Sequence, residues 1–379
     1  MGIPDAKIKI NPEHVRKQLR WKRKFMNILV TGGAGYIGSV LVPTLVNEGH
    51  RVTVVDKLTF GNNLKDLTGF TLYEHDVLDI KPDWLDGIDA VVHLAGLSND
   101  PMANFRPRDN YINNSALTGL LVYFCKQKGI KRLIFGSTCS IYGCSSENLV
   151  DEQSPVAPHF PYGLSKVQAE FAINCSADDN FRPIIFRQAT VYGWAPRMRF
   201  DLVVNTMTKH GVCSGKVSVH NPKLWRPLVH VRDLVDAYLL ALKAPDEITG
   251  TFNIASRNYS ILEIGQEVQQ ALGKNGITCE LEVQDQEDPR SYRVSSDAAR
   301  KTLGFSPSIE IADAVDELII KIGDSQQPAW NNPWFINAEV YRKKIIAEEK
   351  TFDMWKNFLV NFQNEFDHLN VKEWYQEGP

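Results

Sequence analysis

Tyr162 and Lys166 form the residue pair in this sequence with the clearest chemical potential. They stand four residues apart near the start of a predicted helix over 161–177, so they lie on one face and can interact. A phenol has a pKa of about 10, and lowering it by about three units requires roughly 4 kcal/mol of differential interaction. The ammonium favours the phenolate, so the pair predicts a proton acceptor. The spacing alone is common by chance.

A run of hydroxyl and thiol side chains, Ser137-Thr138-Cys139-Ser140, follows a predicted strand over 132–136. An ordinary loop would explain such a run. If the strand belongs to an α/β sheet, however, its carboxyl end lies where ligands bind. The run is therefore a candidate part of a site that includes Tyr162.

Gly32, Gly35 and Gly38 follow a predicted strand over 27–31, and a predicted helix over 36–48 comes next. A second predicted strand, 51–55, ends in Asp56. Glycines at this spacing let the backbone approach a pyrophosphate and place a helix N-terminus against its charge, while the acidic residue binds the adenosine ribose. The unit predicts a nicotinamide dinucleotide cofactor. A β-α-β turn that binds something else, or nothing, is the alternative.

The elements that would position these residues alternate along the chain. The predicted strands are 27–31, 51–55, 70–73, 90–94, 132–136 and 183–186, and the predicted helices are 36–48, 111–128 and 161–177. This alternation predicts an α/β fold of the Rossmann type, a doubly wound parallel sheet covered on both faces, with a smaller C-terminal lobe. Two more strand ends then become cofactor candidates, Asp76-Val77 beside the adenine and Leu94-Ala95 along the cofactor. For the second, a plain strand-to-loop turn is the alternative.

Composition narrows the class of protein. The chain has 379 residues and a formal net charge of -3, which favours neither nucleic acid nor an anionic membrane as partner. Its six cysteines form no CxxC pair and no metal-ligand spacing, so we expect reduced thiols and no metal site. Because the sequence has no bilayer-length apolar run and no signal-peptide core, we expect a cytoplasmic protein without membrane contact.

In this order, the motifs resemble the extended short-chain dehydrogenases/reductases of the NAD-dependent nucleotide-sugar epimerase/dehydratase family. The resemblance covers about residues 26–322. It is carried by the turn from Thr31 to Gly38, Asp56, Asp76-Val77, His93-Leu94-Ala95, Asn114, Ser137-Thr138, Tyr162 with Lys166, the segment from Arg226 to Asp233, and Leu303-Gly304-Phe305.

The resemblance implies a role for each motif residue. Tyr162 would take a proton from a sugar hydroxyl as hydride passes to the nicotinamide. Lys166 would bind the nicotinamide ribose and lower the tyrosine's pKa, Thr138 would hydrogen-bond the reacting hydroxyl, and Asn114 would help to order the site. Asp56 without a following arginine favours NAD over NADP, because a 2′-phosphate would meet a carboxylate. The expected cofactor-binding residues are Gly32, Gly35, Tyr36, Ile37, Gly38, Asp56, Asp76, Val77, Leu94, Ala95, Asn114, Tyr162 and Lys166.

One departure from the family pattern limits the reaction. Sugar 4,6-dehydratases of the family carry an aspartate and a glutamate directly after the catalytic threonine, where this chain has Cys139-Ser140. Losing that acid/base pair should forfeit a factor of roughly 100 or more in water elimination. We therefore expect epimerisation of a nucleotide-diphosphate sugar through a transient keto-sugar. A sugar dehydrogenase or keto-reductase, a non-standard dehydratase and a non-catalytic NAD-binding scaffold stay as alternatives. For Cys139 we favour a packing role over that of a thiol nucleophile.

Arginines in the second half of the chain are expected to bind the substrate, because their planar forks suit phosphate oxygens. Arg226 aligns with the phosphate-binding arginine of the family. Arg197 and Arg199 share one segment, for which a solvated loop is the alternative. Many relatives carry a diphosphate-binding arginine just before the equivalent of Asp288, and here Arg290 or Arg293 would supply that charge instead. The expected substrate-binding residues are Ser98, Thr138, Thr190, Arg197, Arg199, Arg226 and Arg290.

We expect four regions along the chain. These are a basic N-terminal extension over 1–25, an NAD-binding Rossmann domain over 26–188 to which 228–254 returns, a substrate-binding lobe over 189–322, and an aromatic-rich C-terminal extension over 323–379. Within the last region, apolar residues at helical spacing predict an amphipathic helix whose apolar face must be covered, namely Phe352, Trp355, Phe358, Leu359 and Phe362. Its own subunit is the expected cover, and a dimer or heteromeric contact is the alternative; we expect a homodimer.

Overall fold

The computed structural model describes residues 25–285, 291–323 and 331–348. The strands of this part are β1 (Asn27–Thr31), β2 (Arg51–Asp56), β3 (Phe70–Glu74), β4 (Ala90–His93), β5 (Arg132–Thr138), β6 (Cys144–Val150), β7 (Ile184–Gln188), β8 (Thr190–Tyr192), β9 (Lys216–His220), β10 (Trp225–His230), β11 (Gly250–Ile254), β12 (Arg257–Ser260), β13 (Glu280–Gln284) and β14 (Ser291–Val294).

The helices are α1 (Gly38–Asn47), α2 (Asp100–Phe105), α3 (Pro107–Asn110), α4 (Leu117–Gln127), α5 (Pro161–Ser176), α6 (Val203–Ser214), α7 (Val231–Lys243), α8 (Ile261–Lys274), α9 (Asp297–Leu303), α10 (Ile311–Gly323) and α11 (337–348). Short 3-10 turns occupy Val77–Asp79, Pro82–Leu85, Cys139–Tyr142 and Pro333–Phe335. A π-helical segment, Tyr111–Ala116, leads into α4. No helix among the described residues is long and apolar enough to cross a membrane.

Seven parallel strands form the central sheet, in the order β11-β7-β5-β4-β1-β2-β3. The chain reverses its winding between β1 and β4, which is where doubly wound sheets bind ligands. Nearly every residue of β1, β4 and β7 is buried, as expected for parallel strands with helices on both faces. The predicted Rossmann-type fold is confirmed.

The six predicted strands and three predicted helices form within two residues of their expected ends. The helix expected over 111–128 begins as the π-helical segment and becomes α-helical at Leu117. The outer strand β11 comes from the segment 228–254, and it pairs with β7 in parallel.

Two apolar clusters cover the two faces of the sheet. Neighbouring residues of β1 point to opposite faces, so Ile28 joins the cluster that contains Leu41 of α1, whereas Leu29 joins the cluster that contains Leu121 of α4. The smaller lobe has its own cluster around Val268, built from α6, α8 and α10 with the strand sets β12-β10-β8 and β13-β9.

Residues 331–348, here called the C-terminal strap, pack back on the first domain and on the segment that contains Phe200. The backbone carbonyl of Phe335 accepts a hydrogen bond from the Phe200 amide at 2.9 Å, and their rings meet edge to face at 5.6 Å. Tyr341 of α11 joins an apolar cluster with Leu97 and Phe60, which lie on the loops after β4 and β2. The N-terminal extension up to residue 24 and the amphipathic helix predicted around 352–362 lie outside the described residues.

Candidate active site

A cavity of about 670 Å³ opens at the carboxyl ends of the central strands, within the usual size range of ligand sites. It is lined by most of the predicted site residues, namely Gly32, Gly35, Tyr36, Ile37, Gly38, Asp56, Asp76, Val77, Leu94, Ala95, Ser98, Thr138, Tyr162, Thr190, Arg197, Arg199 and Arg226. Lys166 and Asn114 lie behind its wall. Arg290 lies outside the described residues.

Gly32 makes the turn between β1 and α1 possible. Its φ is +72°, and a Cβ added there would lie 2.6 Å from the backbone nitrogen of Ala95. No side chain caps the first turn of α1, which begins at the cavity wall. Uncapped amides at a helix N-terminus suit the negative charge of a diphosphate, so this end of the cavity fits a dinucleotide.

Two carboxylates stand beside the glycine turn. Asp56 accepts hydrogen bonds from the backbone amides of Ala34 at 2.9 Å and Leu58 at 2.8 Å. Asp76 accepts from the Leu78 amide at 3.1 Å and from the Lys57 ammonium at 2.9 Å. A carboxylate has about four acceptor positions, so both groups keep capacity for ribose hydroxyls or an adenine amine.

Tyr162 and Thr138 meet at another part of the same wall. Thr138 ends β5, and its hydroxyl accepts a hydrogen bond from the Ser140 amide at 3.2 Å while it also pairs with the Tyr162 hydroxyl. Burial raises the pKa of Tyr162 to about 12, and the negative charge of Asp100 adds to that increase. The Thr138 hydrogen bond and the Arg199 charge act in the opposite direction.

Lys166 contacts the end of β5 from behind the cavity wall. Its ammonium donates to the carbonyl of Gly136 at 2.9 Å and lies 4.6 Å from the centre of the Phe135 ring. Burial lowers the pKa of Lys166 to about 8, opposed by Glu170. Among the contacts within this chain, burial of the phenol outweighs the Arg199 charge and the Thr138 hydrogen bond, which lower the pKa of Tyr162. The lowering of the phenol pKa by Lys166, which the i, i+4 spacing indicates, stays a prediction.

Asn114 orders the site from behind the wall. Its side chain accepts from the Leu97 amide at 2.8 Å and donates to the Leu97 carbonyl at 3.0 Å, which fixes the loop after β4. It also donates to the Ser165 hydroxyl of α5 at 3.0 Å, one residue before Lys166. Its position in the π-helical segment fits the frequent occurrence of such bulges at functional sites.

Cys139 packs beneath the cavity. Its side chain is 1% exposed, and its thiol donates to the Arg187 carbonyl at 3.1 Å. Burial raises the pKa of this thiol, which disfavours the nucleophilic thiolate. The geometry agrees with the packing role, whereas its neighbours Thr138 and Ser140 do line the cavity.

Arg197 and Arg199 are both buried, so the alternative of a solvated loop does not hold. Arg199 donates through Nε and Nη2 to the Asp201 carboxylate, both at 2.9 Å, and through Nη1 to the Ser98 hydroxyl at 3.3 Å. Arg226 lies on β10, donates to the Trp225 carbonyl at 2.9 Å and is 5.8 Å from the Tyr292 ring centre. All three arginines line the cavity and come from the smaller lobe, so both lobes contribute to the cavity wall.

Sequence reasoning missed several lining residues, among them Phe60, Asp100, Asp201, Asn337 and Arg342. Asp100 carried a usable signal, because it is a carboxylate that follows the end of β4 after a capping residue, Asn99. Asn337 carried none, since its place at the cavity depends on how a distant segment folds back.

Asp100→Asn is expected to move the pH dependence of turnover to lower pH. The substitution removes a negative charge that raises the pKa of Tyr162, so the phenolate forms at lower pH and the rising limb of rate against pH shifts with it. A pH profile of kcat/KM measures the shift. Asp86→Asn, at an exposed ion pair with Lys128, is the matched control and should leave the profile in place. A pH profile of Asp100→Asn that coincides with the parent profile would contradict Tyr162 as the group that titrates in turnover.

Comparison with known proteins agrees with this geometry. The sequence profile of the NAD dependent epimerase/dehydratase family matches residues 28–255. A UDP-glucose 4-epimerase from Lactobacillus helveticus is 31% identical over 320 residues, which covers 76% of this chain and 94% of the relative.

Two solved structures extend the comparison to the fold. The UDP-glucuronic acid 4-epimerase from Bacillus cereus, in complex with UDP-glucuronic acid and NAD, superposes with a TM-score of 0.70 at 26% identity, covering 79% of this chain and 99% of that one. MoeE5 in complex with UDP-glucuronic acid and NAD superposes with a TM-score of 0.71 at 26% identity, covering 79% and 100%. This chain belongs to the NAD dependent epimerase/dehydratase family.

Proposed function

We propose that this protein epimerises a nucleotide-diphosphate sugar, using NAD that stays bound through a transient keto-sugar. The observation that carries the proposal is the cavity itself. It unites the glycine turn and Asp56 with the hydrogen-bonded pair of Tyr162 and Thr138 and with Arg226 of the second lobe. A cofactor end, a proton-transfer group and a cation for phosphate therefore share one cavity.

Each group has a distinct task in this proposal. Tyr162 takes the proton from a sugar hydroxyl and later returns it, while Thr138 holds the phenol oxygen and the reacting hydroxyl in place. Arg199, held rigidly by Asp201, favours the phenolate form of Tyr162. The glycine turn and Asp56 would hold NAD, which would supply reversible hydride transfer. Arg226 is the cation assigned to the substrate diphosphate.

The relatives support UDP-sugars as the first substrates to test. The similar curated proteins are named UDP-glucose 4-epimerases, and the two solved structures were determined with UDP-glucuronic acid. The identity of the sugar rests on side chains of the cavity wall that a panel of substrates can probe directly.

Dehydration is a second candidate, favoured by one observation. Asp100 places a carboxylate in the cavity within electrostatic reach of Tyr162, although Cys139-Ser140 replace the acidic pair of the common dehydratases. A carboxylic acid so placed is the kind of group that elimination of water requires.

The reaction is tested by incubating the purified protein with UDP-, GDP-, CDP- and dTDP-sugars without added NAD. Epimerisation predicts an isomer of unchanged mass and no net NADH. A product lighter by one water would instead establish the dehydratase, and NADH formed in proportion to product would contradict the proposal. Heat-denatured protein with the same sugars is the control for non-enzymatic conversion.

The assembly and the compartment belong to the same proposal. We assign a homodimer because the packed helices α4 and α5 expose apolar side chains, with Tyr123 56% and Phe171 71% exposed. The six cysteines are free thiols, which supports the cytoplasm, where thiols stay reduced.

A further inference from the structure

The C-terminal strap forms part of the cavity wall. Five of its residues line the cavity, namely Ile336, Asn337, Ala338, Glu339 and Arg342. The strap lies beyond residue 322, where the sequence resemblance to the family ends. The two superposed structures are matched over 99–100% of their own length but over only 79% of this chain, so about a fifth of this chain has no counterpart in them.

Asn337 is the polar residue through which the strap reaches the cavity. It is buried, its Oδ1 accepts a hydrogen bond from Nη2 of Arg197 at 2.6 Å, and its Nδ2 donates to the Ser98 hydroxyl at 3.0 Å. Ser98 in turn accepts from Arg199. A single side chain of the strap thus fixes two groups that come from different loops.

Arg197 lies at the dinucleotide end of the cavity. Its backbone amide donates to the Ser39 hydroxyl in the first turn of α1 at 3.2 Å, and its guanidinium lies 4.6 Å from the centre of the Phe60 ring, on the loop after Asp56. Burial lowers the pKa of Arg197 only to about 10, so it stays charged at neutral pH.

The Arg197 guanidinium also has an unused donor. The Arg197 side chain is only 2% exposed, and its Nε–H has no hydrogen-bond partner in the part of the chain that the structure describes. A buried donor on a charged group is costly to leave unpaired, so it calls for an acceptor. Phosphate oxygens are the acceptors that an arginine beside the first turn of α1 would meet.

We propose that the C-terminal strap retains the dinucleotide, with Asn337 as the positioning residue that aims Arg197 at its diphosphate. Two further contacts hold the strap on the domain: the Tyr341 hydroxyl donates to Asp109 at 2.8 Å, and Phe335 pairs with Phe200 through its backbone. Retention suits the proposed function, on which this inference rests, because a cofactor that would return to its oxidised form in each cycle need not leave.

The test measures how fast NAD leaves the full-length protein, by chasing isotope-labelled NAD with an excess of unlabelled NAD. Asn337→Ala is expected to raise the dissociation rate constant about tenfold or more, because it frees Arg197. Tyr341→Phe removes one hydroxyl from the strap's attachment and should raise it a few-fold, roughly the loss of one hydrogen bond. Lys343→Ala, an exposed position on α11, is the control and should leave it unchanged.

Activity gives a second readout that a purely structural role would not produce. Excess added NAD should return kcat of Asn337→Ala to about the parent value, since mass action refills the site. Unchanged dissociation rates in both Asn337→Ala and Tyr341→Phe, at unchanged melting temperature, would overturn the strap proposal. Should Asn337→Ala fail to fold, Tyr341→Phe alone decides the outcome.

The strap proposal and the epimerase proposal can be contradicted separately. A parent protein that binds labelled NAD but does not convert sugars contradicts the epimerase proposal, while the dissociation rates still judge the strap. A parent protein that neither carries NAD after purification nor binds labelled NAD overturns both.

Discussion

Tyr162→Phe is expected to lower turnover by a factor of about 10²–10⁴, the usual contribution of a positioned proton-transfer group. The substitution removes only the hydroxyl that pairs with Thr138 and leaves the aromatic ring in the cavity wall. Binding of NAD should persist, because the glycine turn and Asp56 are untouched. Steady-state kinetics with the substrate found in the sugar panel, together with the NAD content of the purified protein, measure both effects.

Tyr123→Phe is the matched control for this loss. Tyr123 lies on α4 and does not line the cavity, so the same chemical change there should leave turnover within about twofold of the parent. Turnover of Tyr162→Phe within tenfold of the parent would exclude Tyr162 as the acid/base. A loss of NAD along with activity would instead assign the tyrosine to cofactor binding.

Gly32→Ala is expected to destabilise the protein by about 3 kcal/mol or more and to abolish NAD binding. Two costs combine at this position. The backbone has a φ of +72°, and the new Cβ would lie 2.6 Å from the Ala95 nitrogen, so the turn and the end of β4 would have to separate. Chemical denaturation and NAD titration of the variant measure the two effects.

Gly87→Ala separates the two costs. Gly87 has nearly the same φ, +71°, but nothing lies within 4 Å of its added Cβ. It should therefore pay only the conformational cost of about 1–2 kcal/mol and keep NAD binding. Equal losses of stability in the two variants would show that the close approach of Gly32 to Ala95 contributes nothing.

The local parts of the site followed from the amino-acid pattern. The glycine turn, the strand that ends in Asp56 and the pairing of Tyr162 with a helix start depend on backbone geometry over a few residues, where spacing along the chain dictates direction. The alternation of apolar strands and amphipathic helices likewise implied a parallel sheet, and a parallel sheet brings its strand ends to one edge. The roles of the individual side chains remain predictions.

The pKa of Tyr162 and the orientation of the Cys139 side chain did not follow from the amino-acid pattern. The i, i+4 spacing of Tyr162 and Lys166 suggested a lowered phenol pKa, yet burial raises it to about 12 because desolvation depends on everything packed around the ring. The sequence left open whether Cys139 acts as a nucleophile. In the structure its side chain is buried in the core.

Arg197 and Asn337 mark the limit of what a linear pattern can reveal. They are 140 residues apart, and only the return of the strap brings the amide within 2.6 Å of the guanidinium. The sequence alone identified the fold, the family resemblance and the residues on which chemistry depends, because those reside in short motifs with fixed local geometry. Long-range packing placed Arg197 beside the first turn of α1 and added Asn337 to the cavity wall, because contacts between distant segments leave no spacing to read.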